Sequence, residues 1–338
     1  MERGIKQQHI ADTLGLSVAA VSRALSGDPG ISAATRRQVR ETCRRLGYRR
    51  IRRGGASQFA LVAVQRQASL QGAWDQIPAL ALARTAAIHG TSMTVRLVQE
   101  PEDDAILEAL VDLSDRCDGL ILYGFVSAAV LQGLGEQKVR FVMLGPPEGG
   151  IGRMPAGCVA VTADLVEAGR LATARLIALG HKRIVFLCPE HPPGLYFDSW
   201  LAGYRLAHHQ AGLECDPELV FTQSDRGPAA GSESLAADVL AASSRMNHPP
   251  TAWVLPNLLD FLGLLILAPK YGLVLRPDML TLGGRRLESL VSFLDGWPMV
   301  AEDIESMLDA ACSMLGLLIA GRPCPAGEIK VPLTVWHF

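Results

Sequence analysis

The chain has 338 residues, 49% of them apolar, and a formal net charge of −2. That length supports two or three compact domains with cores of their own and excludes a disulfide-dependent miniprotein. No apolar run reaches the length needed to cross a bilayer; Leu258 to Ala268 is the longest and contains Asp260.

The charge is unevenly placed. Residues 1–57 carry 12 Lys and Arg against 4 Asp and Glu, whereas the other 281 residues carry 20 against 30. A basic N-terminal piece on an acidic body implies that the small part meets a polyanion and the large part does not. The seven cysteines are scattered without metal-type spacing and read as buried thiols of a reducing compartment. No apolar leader follows the first residues, so a cytoplasmic location is expected.

In chain order, three short helices fit residues 1–47. The first runs from about Gln8 to Leu14 and stops at Gly15. The second takes Ser17 as N-cap. The third starts at Ser32 or Thr35 and ends at Leu46-Gly47. Ile10, Leu14, Val21 and Leu25 can pack these helices together. A basic, glycine-containing linker follows, and from Phe59 the texture changes to strands alternating with helices.

The strand-like runs are 59–65, 92–98, 119–125, 140–145, 158–163, 183–188, 251–256, 278–284 and 329–335. Amphipathic helical stretches between them include 78–89, 165–179, 199–211, 232–245 and 302–320. Apolar strands alternating with helices imply parallel sheets covered on both faces. The expected organisation is a helix-turn-helix domain over 1–48, a linker over 49–58 and a two-lobed body over 59–338. The first lobe covers about 59–161, the second about 162–284, and the C-terminal region is shared. A ligand cleft is expected between the lobes, at the carboxyl ends of the strands.

The stretch SVAAVSRALS (17–26) carries the functional signal. With Val21 and Leu25 packed inward, Val18, Ala19, Ser22 and Arg23 point outward at the start of the second helix. In a helix-turn-helix those positions enter the major groove. Small side chains let the backbone approach, Val or Ala touches thymine methyls, and Arg23 suits guanine. An ordinary helical bundle with solvated arginines is the alternative.

The wider segment 10–48 resembles the N-terminal domain of the lactose/galactose repressor (LacI/GalR) family of bacterial transcription regulators. The shared residues are Ile10-Ala11, Gly15, Ser17, Val21-Ser22-Arg23, Leu25, Ile31-Ser32, Thr35-Arg36, Val39 and Leu46-Gly47-Tyr48. LIALGHKRIVFL (176–187), LAGY (201–204) and LRPDMLTLGG (275–284) resemble segments of the family's body. The resemblance implies a cytoplasmic homodimer that reads a palindromic operator on double-stranded DNA, and a body like a periplasmic binding protein that senses a small molecule. It makes Ser17, Val18, Ala19, Ser22 and Arg23 base and phosphate readers, with Tyr48 packing the head and touching the DNA backbone. Dimerisation is expected through the helix beginning at Leu258.

Two departures qualify this. Where the family has a hinge helix with a leucine wedge, this chain has Arg50, Ile51, Gly54-Gly55 and Ser57; two glycines in a helix cost about 1 kcal/mol each. Arg50, Arg52 and Arg53, with Arg49, are read as following the phosphates or reaching a narrow minor groove, each alone being equally readable as a linker charge. In the cleft, the family positions read Trp74 and Asp75, Trp200, Asn257-Leu258 and Arg285. Carboxylates are replaced and a cation is added, which disfavours a plain neutral sugar. Two alternatives stay open: an acidic or aromatic effector held by Arg285 and stacked on Trp74 or Trp200, or a cleft that binds nothing and is filled by Trp200. In the second case the regulator acts by dimerisation or a protein partner. A solute-binding protein is a third reading, opposed by the basic head. No glycine-rich phosphate loop, metal-spaced set or GxSxG elbow occurs, and His208-His209 are adjacent rather than a turn apart. No enzyme activity, cofactor, metal or membrane association is expected.

Overall fold

The computed structural model describes residues 6–26, 28, 30–46, 57–65, 79–124, 126–148, 150–188, 195–222, 232–284 and 294–337. The head consists of α1 (Gln7–Leu14), α2 (Val18–Ser26) and α3 (Ala33–Leu46). Local chemistry sets their limits. Gly15 ends α1 in the left-handed region at φ 64°, where a side chain would be strained. The Ser17 hydroxyl accepts the Ala20 amide at 3.1 Å, and the Ser32 hydroxyl accepts the Thr35 amide at 3.0 Å. Ile10, Ala11, Val21, Ala24, Val39 and Cys43 form the core, with Leu14 and Leu25 against it.

The first lobe contains β1 (Gln58–Gln65), α4 (Ala79–Ile88), β2 (Ser92–Gln99), α5 (Asp103–Ser114), β3 (Gly119–Gly124), α6 (Ala128–Glu136), β4 (Phe141–Leu144) and β5 (Val159–Ala163). The second contains α7 (Leu165–Ala178), β6 (Ile184–Cys188), α8 (Leu195–Gln210), β7 (Val220–Thr222), α9 (Ser232–Arg245), β8 (Ala252–Leu255), α10 (Leu258–Leu267), β9 (Leu280–Gly284) and β10 (Met299–Glu302). The chain then returns through α11 (Ile304–Ala320) to β11 (Gly327–Val331) and ends with β12 (Leu333–Trp336).

The strand orders are β11-β5-β4-β3-β1-β2 and β12-β10-β9-β8-β6-β7. The first sheet is parallel throughout. The second departs from the all-parallel expectation at one edge, where β12 runs antiparallel to β10. The run 329–335, read as one strand from sequence, divides at Pro332, and its halves join different sheets. Proline lacks the amide a continuing ladder needs.

Burial on both faces explains the unbroken apolar strands. In β1, Phe59, Leu61 and Ala63 face one core, while Ala60, Val62 and Val64 face the other. The first of these cores continues into the second lobe through Leu165, Ala168, Ala172 and Ile184. Among the described cysteines, Cys43, Cys158 and Cys312 are buried as expected, whereas Cys117, Cys215 and Cys324 are half-buried. Burial raises the Cys312 thiol to about 12, which keeps it protonated. No helix among the described residues is long and apolar enough to cross a membrane.

Candidate nucleic-acid interface and ligand cleft

The leading edge of α2 is bare in the folded chain. Val18, Ala19 and Arg23 are exposed, Ser22 is half-buried, and Ser17, whose hydroxyl caps the helix, is exposed. Val21 and Ala24 on the opposite face are buried. The amphipathic phase therefore divides α2 into a packing face and a face of small residues. A backbone behind such a face can approach a flat or grooved surface closely, and the N-terminal amides and Arg23 favour anions there. Of the remaining expected DNA contacts, Tyr48, Arg50, Arg52 and Arg53 lie outside the described residues.

In the second lobe, α7 and α8 cross closely. Gly169 of α7 and Gly203 of α8 let the two backbones meet: a methyl added at Gly203 would sit 2.0 Å from the Val166 carbonyl oxygen. This close crossing presses Trp200 onto the ends of β8 and β9. A Cβ at Gly283 would meet the Trp200 Cη2 at 2.4 Å, its Cζ2 at 2.6 Å and the Pro256 Cα at 2.9 Å. Trp200 is 1% exposed, so its ring offers no free face for the stacking role expected of it. Its Nε1 is buried and has no hydrogen-bond partner.

Asn257 is half-buried just before α10, and its carbonyl accepts the Asp260 amide at 3.2 Å. Leu258 is a correction to the expected pocket lining. It is 7% exposed and packs into the second-lobe core with Phe261, Leu264 and Leu267, as the apolar phase of α10 requires. Trp74, Asp75 and Arg285 lie outside the described residues.

Three further groups have structural partners. Asp164 caps α7 by accepting the Glu167 amide at 3.1 Å and also meets Lys330 Nζ at 3.0 Å. Burial alone would raise its carboxyl pKa, but Lys330 and the helix amides outweigh it and hold the group below its ordinary range. His181 lies between the Thr251 hydroxyl at 2.9 Å and the Asp278 carbonyl at 3.0 Å, while His208 is buried against Tyr204.

No protein-family model matches the chain. The HTH-type transcriptional regulator RafR of Escherichia coli is 29% identical over 325 residues, covering 92% of this chain and 88% of the relative. A transcriptional regulator CelR–cellobiose complex is similar in structure, with a TM-score of 0.65, 21% identity and 98% of each chain covered. A lac repressor dimer bound to operator and the anti-inducer ONPF gives a TM-score of 0.64 at 19% identity, again with 98% of each covered.

Proposed function

We propose that this chain, a DNA-binding transcriptional regulator of the lactose/galactose-repressor (LacI/GalR) type, acts as a cytoplasmic, non-enzymatic repressor that grips a palindromic operator as a homodimer. The observation that carries this is the edge of Val18, Ala19 and Arg23, all exposed, with half-buried Ser22, in a chain that has 12 basic side chains in its first 57 residues. Inserted into a major groove, Val18 and Ala19 contact thymine methyls, Arg23 pairs with guanine and Ser17 reaches a phosphate. Tyr48, Arg50, Arg52 and Arg53 add contacts to the DNA backbone, which makes affinity fall steeply with salt.

Exposed apolar side chains support the dimer. Ile88 and Val95 in the first lobe are 74% and 53% exposed, and Ile266 and Val274 in the second are 62% and 76% exposed. Single exposed leucines are unremarkable on a monomer, but apolar groups on successive elements of both lobes suit a second copy.

Trp74, Asp75, Asn257 and Arg285 remain the proposed effector contacts, with an acidic or aromatic-bearing molecule as effector. The burial of Trp200 over Gly283 favours a second reading, in which the second-lobe floor is plugged and the body has no small-molecule response. A footprint of the purified full chain on DNA flanking its own gene tests the first proposal; absence of any protected site at moderate salt refutes it. A thermal-shift screen against sugars, sugar acids, sugar phosphates and aromatic acids separates the two readings of the body. A compound that both stabilises the chain and alters its DNA affinity rules out the plugged one.

A further inference from the structure

An ion-pair cluster joins the head to the first lobe. Arg40, on α3, directs its Nη1 to Asp112 Oδ1 at 2.7 Å and its Nε to Asp115 Oδ2 at 3.1 Å. The arginine side chain is only 16% exposed, so its charge is turned away from solvent and towards α5. The two acids are badly placed on their own helix. Asp112 lies in the last turn of α5, Asp115 is its C-cap, and that turn carries no basic residue. Carboxylates at a helix C-terminus oppose the negative end of the dipole, so a cation brought there is stabilising. The cation comes from the head.

The geometry constrains more than distance. A planar guanidinium with two donors on two separate carboxylates resists rotation as well as separation, which a lysine ammonium does not. Meanwhile Val18, Ala19 and Arg23 stay exposed, so this docking leaves the reading edge open. We propose that Arg40, Asp112 and Asp115 are positioning residues for operator binding: they seat the head on the first lobe in one orientation, so that the placement of that lobe sets the placement of α2. The role rests on the reading of α2 as a DNA-reading helix.

A head held in this way binds without ordering itself afresh, and releasing it weakens operator binding about fivefold. Two experiments on the full-length chain test this. The first needs no DNA. In the R40K variant, a zero-length carbodiimide should couple position 40 to position 112 or 115, and mass spectrometry should find that peptide. Absence of the crosslink overturns the docking. The second is quantitative footprinting of the wild type, D112N/D115N, R40D and the swapped pair R40D/D112R, each first checked for an unchanged unfolding temperature.

D112N/D115N should bind about fivefold more weakly, and the swap should recover at least half of what R40D loses. Binding by D112N/D115N as tight as wild type or tighter, the result of merely removing negative charge near DNA, overturns the positioning role. So does a swap no better than R40D. A wild-type chain that protects no site removes the DNA reading and this role with it, even where the crosslink forms.

Discussion

Replacing Gly203 with alanine tests the close crossing of α7 and α8. The new Cβ would lie 2.0 Å from the Val166 carbonyl oxygen, 2.6 Å from the Arg170 amide nitrogen and 2.9 Å from the Gly169 Cα. All three are backbone atoms, so no change of rotamer relieves the contact. Since a Cβ tolerates little under 3 Å, α7 and α8 must separate locally by about 1 Å. Overpacking of this kind costs about 3 kcal/mol, while alanine in a helix gains about 1 kcal/mol over glycine. The net loss of about 2 kcal/mol should lower the calorimetric unfolding temperature by about 4 °C or more. Gly316 of α11 is the internal control, because a Cβ there meets nothing within 4 Å. G316A should therefore be up to about 1 kcal/mol more stable than wild type. A G203A protein that unfolds at or above the wild-type temperature would refute the close crossing.

Three other substitutions address the head, the second lobe and the pair between Lys330 and Asp164. Ala19→Trp lifts α2 off a groove while leaving the head's core untouched, so gel-shift affinity should fall at least ~10-fold with the unfolding temperature unchanged; equal affinity would place the reading edge elsewhere. Tyr204→Phe removes a hydroxyl that donates to the Ile184 carbonyl at 2.7 Å inside the second lobe, which should cost about 1–3 kcal/mol in urea unfolding because the carbonyl is left buried and unpaired. Lys330→Met removes a partner that holds the Asp164 carboxyl below its ordinary 3.8. A depressed carboxylate stabilises the fold above its unfolded value, and that stabilisation is lost as pH falls through the folded one. The variant should therefore be less stable at neutral pH, with the difference shrinking in acid; a difference that widens in acid contradicts the assignment.

The features legible in the sequence were those whose cause is local. Ser17 and Ser32 announced their helices because a cap acts within three residues, and the strands of the two central cores stood out because burial on both faces leaves no polar position. Pairing was not legible. Nothing near Pro332 tells that residues 327–331 lie beside β5 while residues 333–336 run against β10. The short strands β7 and β10, of three and four residues, gave no periodicity to count. Arg40 read as one of 12 basic residues because its partner Asp112 lies 72 positions away. Trp200 was readable either as a stacking platform or as a filler; what decides for burial, Gly169 against its backbone and Gly283 against its ring, is far from it in sequence.

The crossings between the lobes show a symmetry that the residues conceal. Asp164 follows β5 and opens α7; Asp303 follows β10 and opens α11. Both have φ −80° and ψ 84°, and each accepts the amide three residues on, at 3.1 Å and 3.0 Å. The sequences ADLVEAG and EDIESML share little else, because the device needs one capping carboxylate and an apolar helix face rather than a particular run of side chains. The third crossing, at Pro332, is tied to the first by Lys330 and Asp164. A rotation of the second lobe must therefore move α7, its cap and β11 together or break that pair. Under the proposed seating of the head on α5, these crossings are the covalent route from the second lobe to α2, so K330M should alter a proposed effector response more than it alters operator affinity without effector, compared by quantitative footprinting.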